Sequence, residues 1–143
     1  MEEHSLGFTN ANALTTQRNK CNQLSSRYGL ELTEAQMVRL ARSRERALRD
    51  TNRVEFGEGV LYKLVYAFCD SPYISREEYA ATLEALQELF YALKNDCDDA
   101  LSDDELIDGL KAAFDGPAQG SLEYVESLTP GELYRLAARG GVR

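Results

Sequence analysis

Four stretches share one pattern: Leu32-Thr33-Glu34-Ala35-Gln36-Met37, Ile74-Ser75-Arg76-Glu77-Glu78-Tyr79, Leu101-Ser102-Asp103-Asp104-Glu105-Leu106 and Leu128-Thr129-Pro130-Gly131-Glu132-Leu133. Each has an apolar residue, a Ser or Thr, two further residues, then a Glu or Gln and a second apolar residue. This is the capping box. The hydroxyl accepts the orphan N–H of the third helical residue, and the Glu or Gln side chain reaches back to accept the cap's own N–H. The flanking apolar pair closes over the cap as a staple, and Pro130 suits a first helical position. The copies begin 42, 27 and 27 residues apart and the sequences between them do not align, so they are recurring local chemistry rather than a repeat. Four helix starts in one chain predict an all-α protein.

Apolar spacing outward from these starts supplies the helices. A first helix is predicted over about Thr9–Tyr28, with Leu14, Cys21, Leu24 and Tyr28 on one stripe and Gly29 as its stop. A second runs from Glu34 to about Asn52. A third, about Glu58–Asp70, is apolar on all sides except Lys63 and so reads as the buried centre of the fold. Ser71-Pro72-Tyr73 turns the chain into a fourth helix, Arg76 to about Cys97, with Tyr79, Leu83, Leu86, Phe90, Leu93 and Cys97 on one face. A fifth covers Asp103–Phe114. A short turn near Leu122–Ser127 precedes a last helix, Pro130–Arg139, ended by Gly140-Gly141. No stretch alternates with period two between hairpin turns. The expected architecture is one domain over residues 1–143: a compact bundle of about five to seven helices around Val60–Cys69, with residues 1–8 a loose N-terminal segment.

The chain has 143 residues, and 16 Lys+Arg stand against 24 Asp+Glu for a net charge of −8. With 43% hydrophobic residues it can bury a core without a disulfide or metal staple. Its longest nearly apolar run, Val60–Cys69, is about half of the ~20 residues that span a bilayer. The acidic start Met-Glu-Glu-His has no basic-then-apolar leader, and Cys21, Cys69 and Cys97 are an odd, widely spaced set that suits reduced thiols. These features predict a cytoplasmic address without membrane contact. The charge is unevenly spread: residues 1–76 sum to +2, residues 77–132 to −13, and residues 133–143 to +3.

Arg39, Arg42, Arg46, Arg49 and Arg53 fall at offsets 0, 3, 7, 10 and 14, which at about 100° per residue form one stripe of the second helix. That stripe is either a ridge for an anion, a nucleic acid or an acidic partner, or a solvated face paired with the chain's own carboxylates. Arg44 instead falls on the apolar face, where a guanidinium needs a carboxylate. Glu55, Glu58 and Asp70 are its candidate partners, with snorkelling to the core edge as the alternative.

Other chemistry is thinly provided. Asp115–Glu126 imitates a calcium loop, with Asp115 first, Gly120 sixth and Glu126 twelfth, but Pro117 and Gln119 stand where carboxylates belong, so a metal there would be held weakly. The acidic run Asp96, Asp98, Asp99, Asp103, Asp104, Glu105, Asp108 reads as a solvated connection and a charged helix start. The one histidine, His4, falls in the N-terminal segment, and no Gly-rich phosphate loop, Cys-x-x-Cys or His-Glu-x-x-His is present. Cys69 and Cys97 read as packing thiols. Glu55-Phe56-Gly57-Glu58-Gly59 has the glycines and carboxylates of a site, or of a joint between crossing helices. An enzyme would have to rely on Glu55, Glu58 or Asp70 alone, and no cofactor is implied.

Val54–Gly59, Ala67–Tyr73, Ser102–Ile107 and Gly120–Tyr124 resemble segments of a family of small bacterial proteins of unknown function, over most of the chain from about Tyr28. The resemblance implies a stand-alone bacterial cytoplasmic domain and transfers no functional residues. The expected function is therefore non-enzymatic: binding of another protein, or self-association as a homodimer. Eight tyrosines support this reading, and Tyr62, Tyr66 and Tyr91, which leave the core stripes, would form an aromatic contact patch if exposed. Anion or nucleic-acid binding through the arginine stripe is the alternative, and weak divalent-metal binding at 115–126 a third.

Overall fold

Three of the four capping boxes close in both directions. Thr33 Oγ1 accepts from Gln36 N at 3.1 Å while Gln36 Oε1 accepts from Thr33 N at 2.9 Å, and Ser102 with Glu105 and Thr129 with Glu132 repeat the exchange. The computed structural model describes residues 11–55, 57 and 59–141. The N-terminal segment 1–8, with His4, lies outside them, as do Phe56 and Glu58. Among the described residues there are seven α-helices, one 3-10 turn and no strand: α1 Ala11–Ser25 with the 3-10 turn Ser26–Tyr28, α2 Glu34–Asp50, α3 Leu61–Phe68, α4 Tyr79–Asp96, α5 Asp103–Asp115, α6 Leu122–Glu126 and α7 Pro130–Gly141. The protein is all-α.

The fourth box closes only half way. Ser75 Oγ accepts from Glu78 N, but Tyr79 N bonds back to Arg76 O in a three-residue turn, and α4 begins at Tyr79 rather than Arg76. A tertiary contact accompanies the late start: the Arg76 guanidinium lies against Gly29. A cap not anticipated from sequence, Ser121 Oγ accepting from Tyr124 N, makes α6 a helix instead of a turn. The last helix runs through Gly140 to Gly141 rather than stopping before them.

Helix α3 is not buried on all sides. Leu61, Leu64, Val65 and Phe68 are buried, but Lys63 is exposed and Tyr66 is 70% exposed. Helices α1, α4 and α5 cover three sides of α3, and its tyrosines can face water by their hydroxyl end. Helix α4 brings a long face to the core: Tyr79, Ala80, Leu83, Leu86, Gln87, Phe90, Tyr91 and Leu93 are all buried. Tyr28, expected on the core stripe of α1, is exposed, because the chain tightens into the 3-10 turn before reaching it. Its place is taken by Gln17 and Ser25, both buried. Cys97 is half-buried at the end of α4 rather than in the core.

Cross-helix partners set the helix directions. Arg39 meets Glu84, Ser43 meets Glu88 and Arg53 meets Asp99, so α2 and α4 run the same way with a nearly constant offset. Lys63 meets Asp104 and Lys111 meets Asp70, so α3 and α5 also run together. Phe68 and Tyr73 both pack edge-on against Phe114, at 5.5 and 6.4 Å between ring centroids.

Helices α5 and α7 approach most closely at Gly109, where an added Cβ would stand 2.8 Å from Leu133 Cβ and from Leu133 O. Alanine favours a helix over glycine by about 1 kcal/mol, yet Gly109→Ala should lower stability in urea denaturation, because overpacking costs about 1–3 kcal/mol. Gly131→Ala, which meets nothing closer than 3.8 Å, should leave stability unchanged or raise it.

Candidate functional site

The arginine stripe lies along the seam between α2 and α4. Arg39 Nε donates to Glu84 Oε1 at 2.7 Å, Arg46 reaches Glu84 and Glu88, and Arg53 forms a two-pronged pair with Asp99 at 2.8 and 3.0 Å. The Arg53 fork holds the Asp99 carboxyl below its ordinary range. Three of the five arginines are thus engaged within the chain. Arg42 and Arg49 are exposed and have no ion pair among the described residues. Exposed pairs of this kind contribute little to stability, because water already screens them. Their effect is to set the register of two parallel helices.

Arg44 sits at the edge of the core and meets one of its three candidate partners. Its Nε and Nη2 donate to Glu55 Oε1 at 3.2 and 3.0 Å. The hydroxyl of buried Tyr91 donates to the same oxygen. Burial works against the charge on Arg44, but Tyr91 and Glu55 outweigh it and raise its pKa. Burial likewise pushes the Tyr91 phenol well above its ordinary value, helped by the Glu55 carboxylate. Asp70 is not part of this network, since it pairs with Lys111 at 2.9 Å on another face, and Glu58 lies outside the described residues. Gly59, at φ +77°, completes the cradle: a Cβ there would stand 2.5 Å from Arg44 Nε. The sequence carried a faint sign of this arrangement in Gln87, a polar residue on the core face of α4, which donates to Leu40 O at 2.9 Å across the same seam.

A concavity of about 1360 Å³ lies over the open side of α3. Tyr62, Tyr66 and Ala67 of α3 share it with Leu24 of α1, Ile107 of α5 and Leu136 of α7. Lys20 stands over the Tyr62 ring at 4.8 Å. At one end Lys63 pairs with Asp104 at 3.0 Å. At the other, Lys111 ties down the end of α3, donating to Ala67 O, Asp70 and Asp115. Tyr66 and half-buried Tyr62 belong to this surface, whereas Tyr91, expected with them, is core.

The calcium-loop reading meets a different geometry. Asp115 is the last residue of α5, and its carboxylate accepts from Ser71 Oγ at 2.7 Å and pairs with Lys111. Glu126 is exposed at the end of α6. In the acidic run, Asp103 pairs with Lys94 and Asp104 with Lys63. Among the described residues no three His, Cys, Asp or Glu side chains converge to hold a metal, and no helix is long and apolar enough to cross a membrane. Burial raises the Cys69 thiol, away from a reactive thiolate.

Over residues 17–140 the chain matches a protein family described as a family of unknown function, DUF6323. No curated protein and no solved structure matches it.

Tyr79 and Tyr91 generate a pH dependence. Burial pushes the Tyr79 phenol up to about 12, with the adjacent Ser25 hydroxyl opposing it, and Tyr91 goes higher still. An unfolded tyrosine ionises near 10. Above that pH the unfolded chain releases protons that the folded chain keeps, so stability is fully present below pH ~10 and falls as pH rises toward ~12. Urea midpoints measured from pH 8 to 11 should drop above ~10, and Tyr79→Phe and Tyr91→Phe should each flatten the drop. At neutral pH Tyr91→Phe should cost about 1–2 kcal/mol, because Glu55 loses a buried hydrogen bond.

Proposed function

We propose that this chain, which belongs to the DUF6323 family of unknown function, acts without catalysis, by docking a protein in the groove over α3. One observation carries the reading. Tyr66, at the middle of a helix covered on three sides, leaves 70% of its surface in an open trough of about 1360 Å³. Aromatic side chains with a polar tip are the commonest anchors of protein interfaces. The groove is lined by four cations, among them Lys63 and Arg139, and by four carboxylates, among them Asp104 and Asp108. Lys63 and Lys111 are paired within the chain, whereas exposed Arg139 and Asp108 have no ion pair among the described residues, so in a second copy of the chain Asp108 of one can face Arg139 of the other. A homodimer is therefore the occupant we favour. The three free thiols support a reducing, cytoplasmic setting.

Nucleic-acid or anion binding through α2 has less support, because Glu84, Glu88 and Asp99 already neutralise Arg39, Arg46 and Arg53. Metal binding at Asp115 and Glu126 has less still, because Lys111 and Ser71 hold Asp115.

Light scattering at low salt tests the dimer. The expected mass is near twice 16.0 kDa, and Tyr66→Glu should shift it to the monomer with the melting temperature little changed, since Tyr66 is exposed. A monomer at every concentration up to about 1 mM, a bound of about −4 kcal/mol, would remove the dimer.

A further inference from the structure

Among the described residues, Arg39, Arg44, Arg46, Arg53, Lys63, Lys94 and Lys111 each have a carboxylate partner. Arg27 and Arg76 have none among the described residues, although the chain carries eight more negative charges than positive. Both stand beside a concavity, whereas unpaired Arg42 and Arg49 lie on an open helix face. Arg76 lines a second pocket of about 360 Å³, walled by Leu30, Pro72 and Ile74 and adjoining the groove at Tyr28, Cys69 and Asp70. This volume is in the range of small-ligand sites.

Both guanidiniums are exposed, and each packs on one neighbour. Arg76 lies against Gly29, whose left-handed φ of +77° opens the space: a Cβ there would stand 3.0 Å from Arg76 Nη2. Arg27 packs over the Tyr28 ring at 5.6 Å. The carboxylates that could compete are already engaged. Lys111 holds Asp70 at 2.9 Å, and Asp115 accepts from Ser71 Oγ and pairs with Lys111. Ser71 Oγ gives its proton to Asp115 and accepts from Tyr73 N, so it is not an open donor.

We propose that Arg27 and Arg76, which line the two concavities that meet at Tyr28, Cys69 and Asp70, bind the oxyanion group of a ligand, a carboxylate or a phosphate, whose apolar part lies against Leu30, Pro72 and Ile74. A planar guanidinium presents two parallel donors that match either anion. A ligand group that brings its own charge supplies the acceptors that the chain withholds. This site does not depend on a protein occupying the groove.

The test is a titration of the isotope-labelled full chain with acetate and, separately, inorganic phosphate, at constant ionic strength with chloride as the balancing ion. Arginine Nε–Hε resonances are assigned by Arg27→Lys and Arg76→Lys. The expected result is a saturable shift of the Arg27 and Arg76 signals together, half complete at about 1–10 mM, with Arg42 and Arg49 unmoved. Tighter saturation by phosphate assigns a phosphoryl ligand, and equal or tighter saturation by acetate assigns a carboxylate. Arg76→Gln should abolish the Arg27 shift and Arg76→Lys should weaken it at least about threefold, because lysine keeps the charge and loses the fork. Both changes are at an exposed position, and amide signals away from the pocket report that the fold is kept. Shifts that do not saturate, shifts of equal size at Arg42 and Arg49, or wild-type behaviour of Arg76→Gln would overturn the proposal.

Discussion

A guanidinium at the edge of an apolar core must be matched by a carboxylate, and in this chain that requirement joins three parts of the fold. Arg44 belongs to α2, Glu55 to the connection leaving it, and Tyr91 to the core face of α4. One carboxylate oxygen accepts from both of the others. The connection from α2 to α3 is thereby pinned against α4, and Gly59 takes the left-handed turn that leaves room for the Arg44 side chain. Removing one member would strand the rest, since an unpaired buried charge costs more than its pair contributes. Parallel α2 and α4 follow from this anchor, with Gln87 on Leu40 O and the outer pairs of Arg39, Arg46 and Arg53 keeping their register.

With α2 and α4 joined on one side, α3 is left with α1, α4 and α5 around it and no further helix of the described residues over its fourth side. The groove arises from this arrangement. Its floor is a short helix whose ends are tied by Lys63 to Asp104 and by Lys111 to Asp70 and Asp115. Tyr62 and Tyr66 therefore stand on a rigid support, and rigid aromatic side chains lose little entropy on contact. The same crowding at the end of α3 engages Asp70 and Asp115, and among the described residues Arg27 and Arg76 have no carboxylate partner.

The contrast between Ser75 and the other caps shows where local chemistry gives way. Thr33, Ser102 and Thr129 begin helices where their boxes lie, because each box is satisfied within four residues. Ser75 makes its hydrogen bond too, but Arg76 lies against Gly29, 47 positions earlier in the chain, and the helix starts three residues late. Likewise Tyr62 and Tyr66 of α3 could be read either as core or as an exposed contact patch. An aromatic helix reads as buried unless its neighbours are known, and tyrosine satisfies either setting.

Sequence by itself determined the class of this protein, its helix starts and most of its core, since caps and 3.6-residue periodicity act over a single turn. It also placed the five arginines on one face and raised the requirement that Arg44 be paired. Only the tertiary structure decided that Glu55 rather than Asp70 meets Arg44, that the arginine stripe is largely neutralised by α4, and that α3 has an uncovered side. Those outcomes depend on which helices lie next to one another, and residues some 10 to 50 positions apart meet according to packing rather than local pattern.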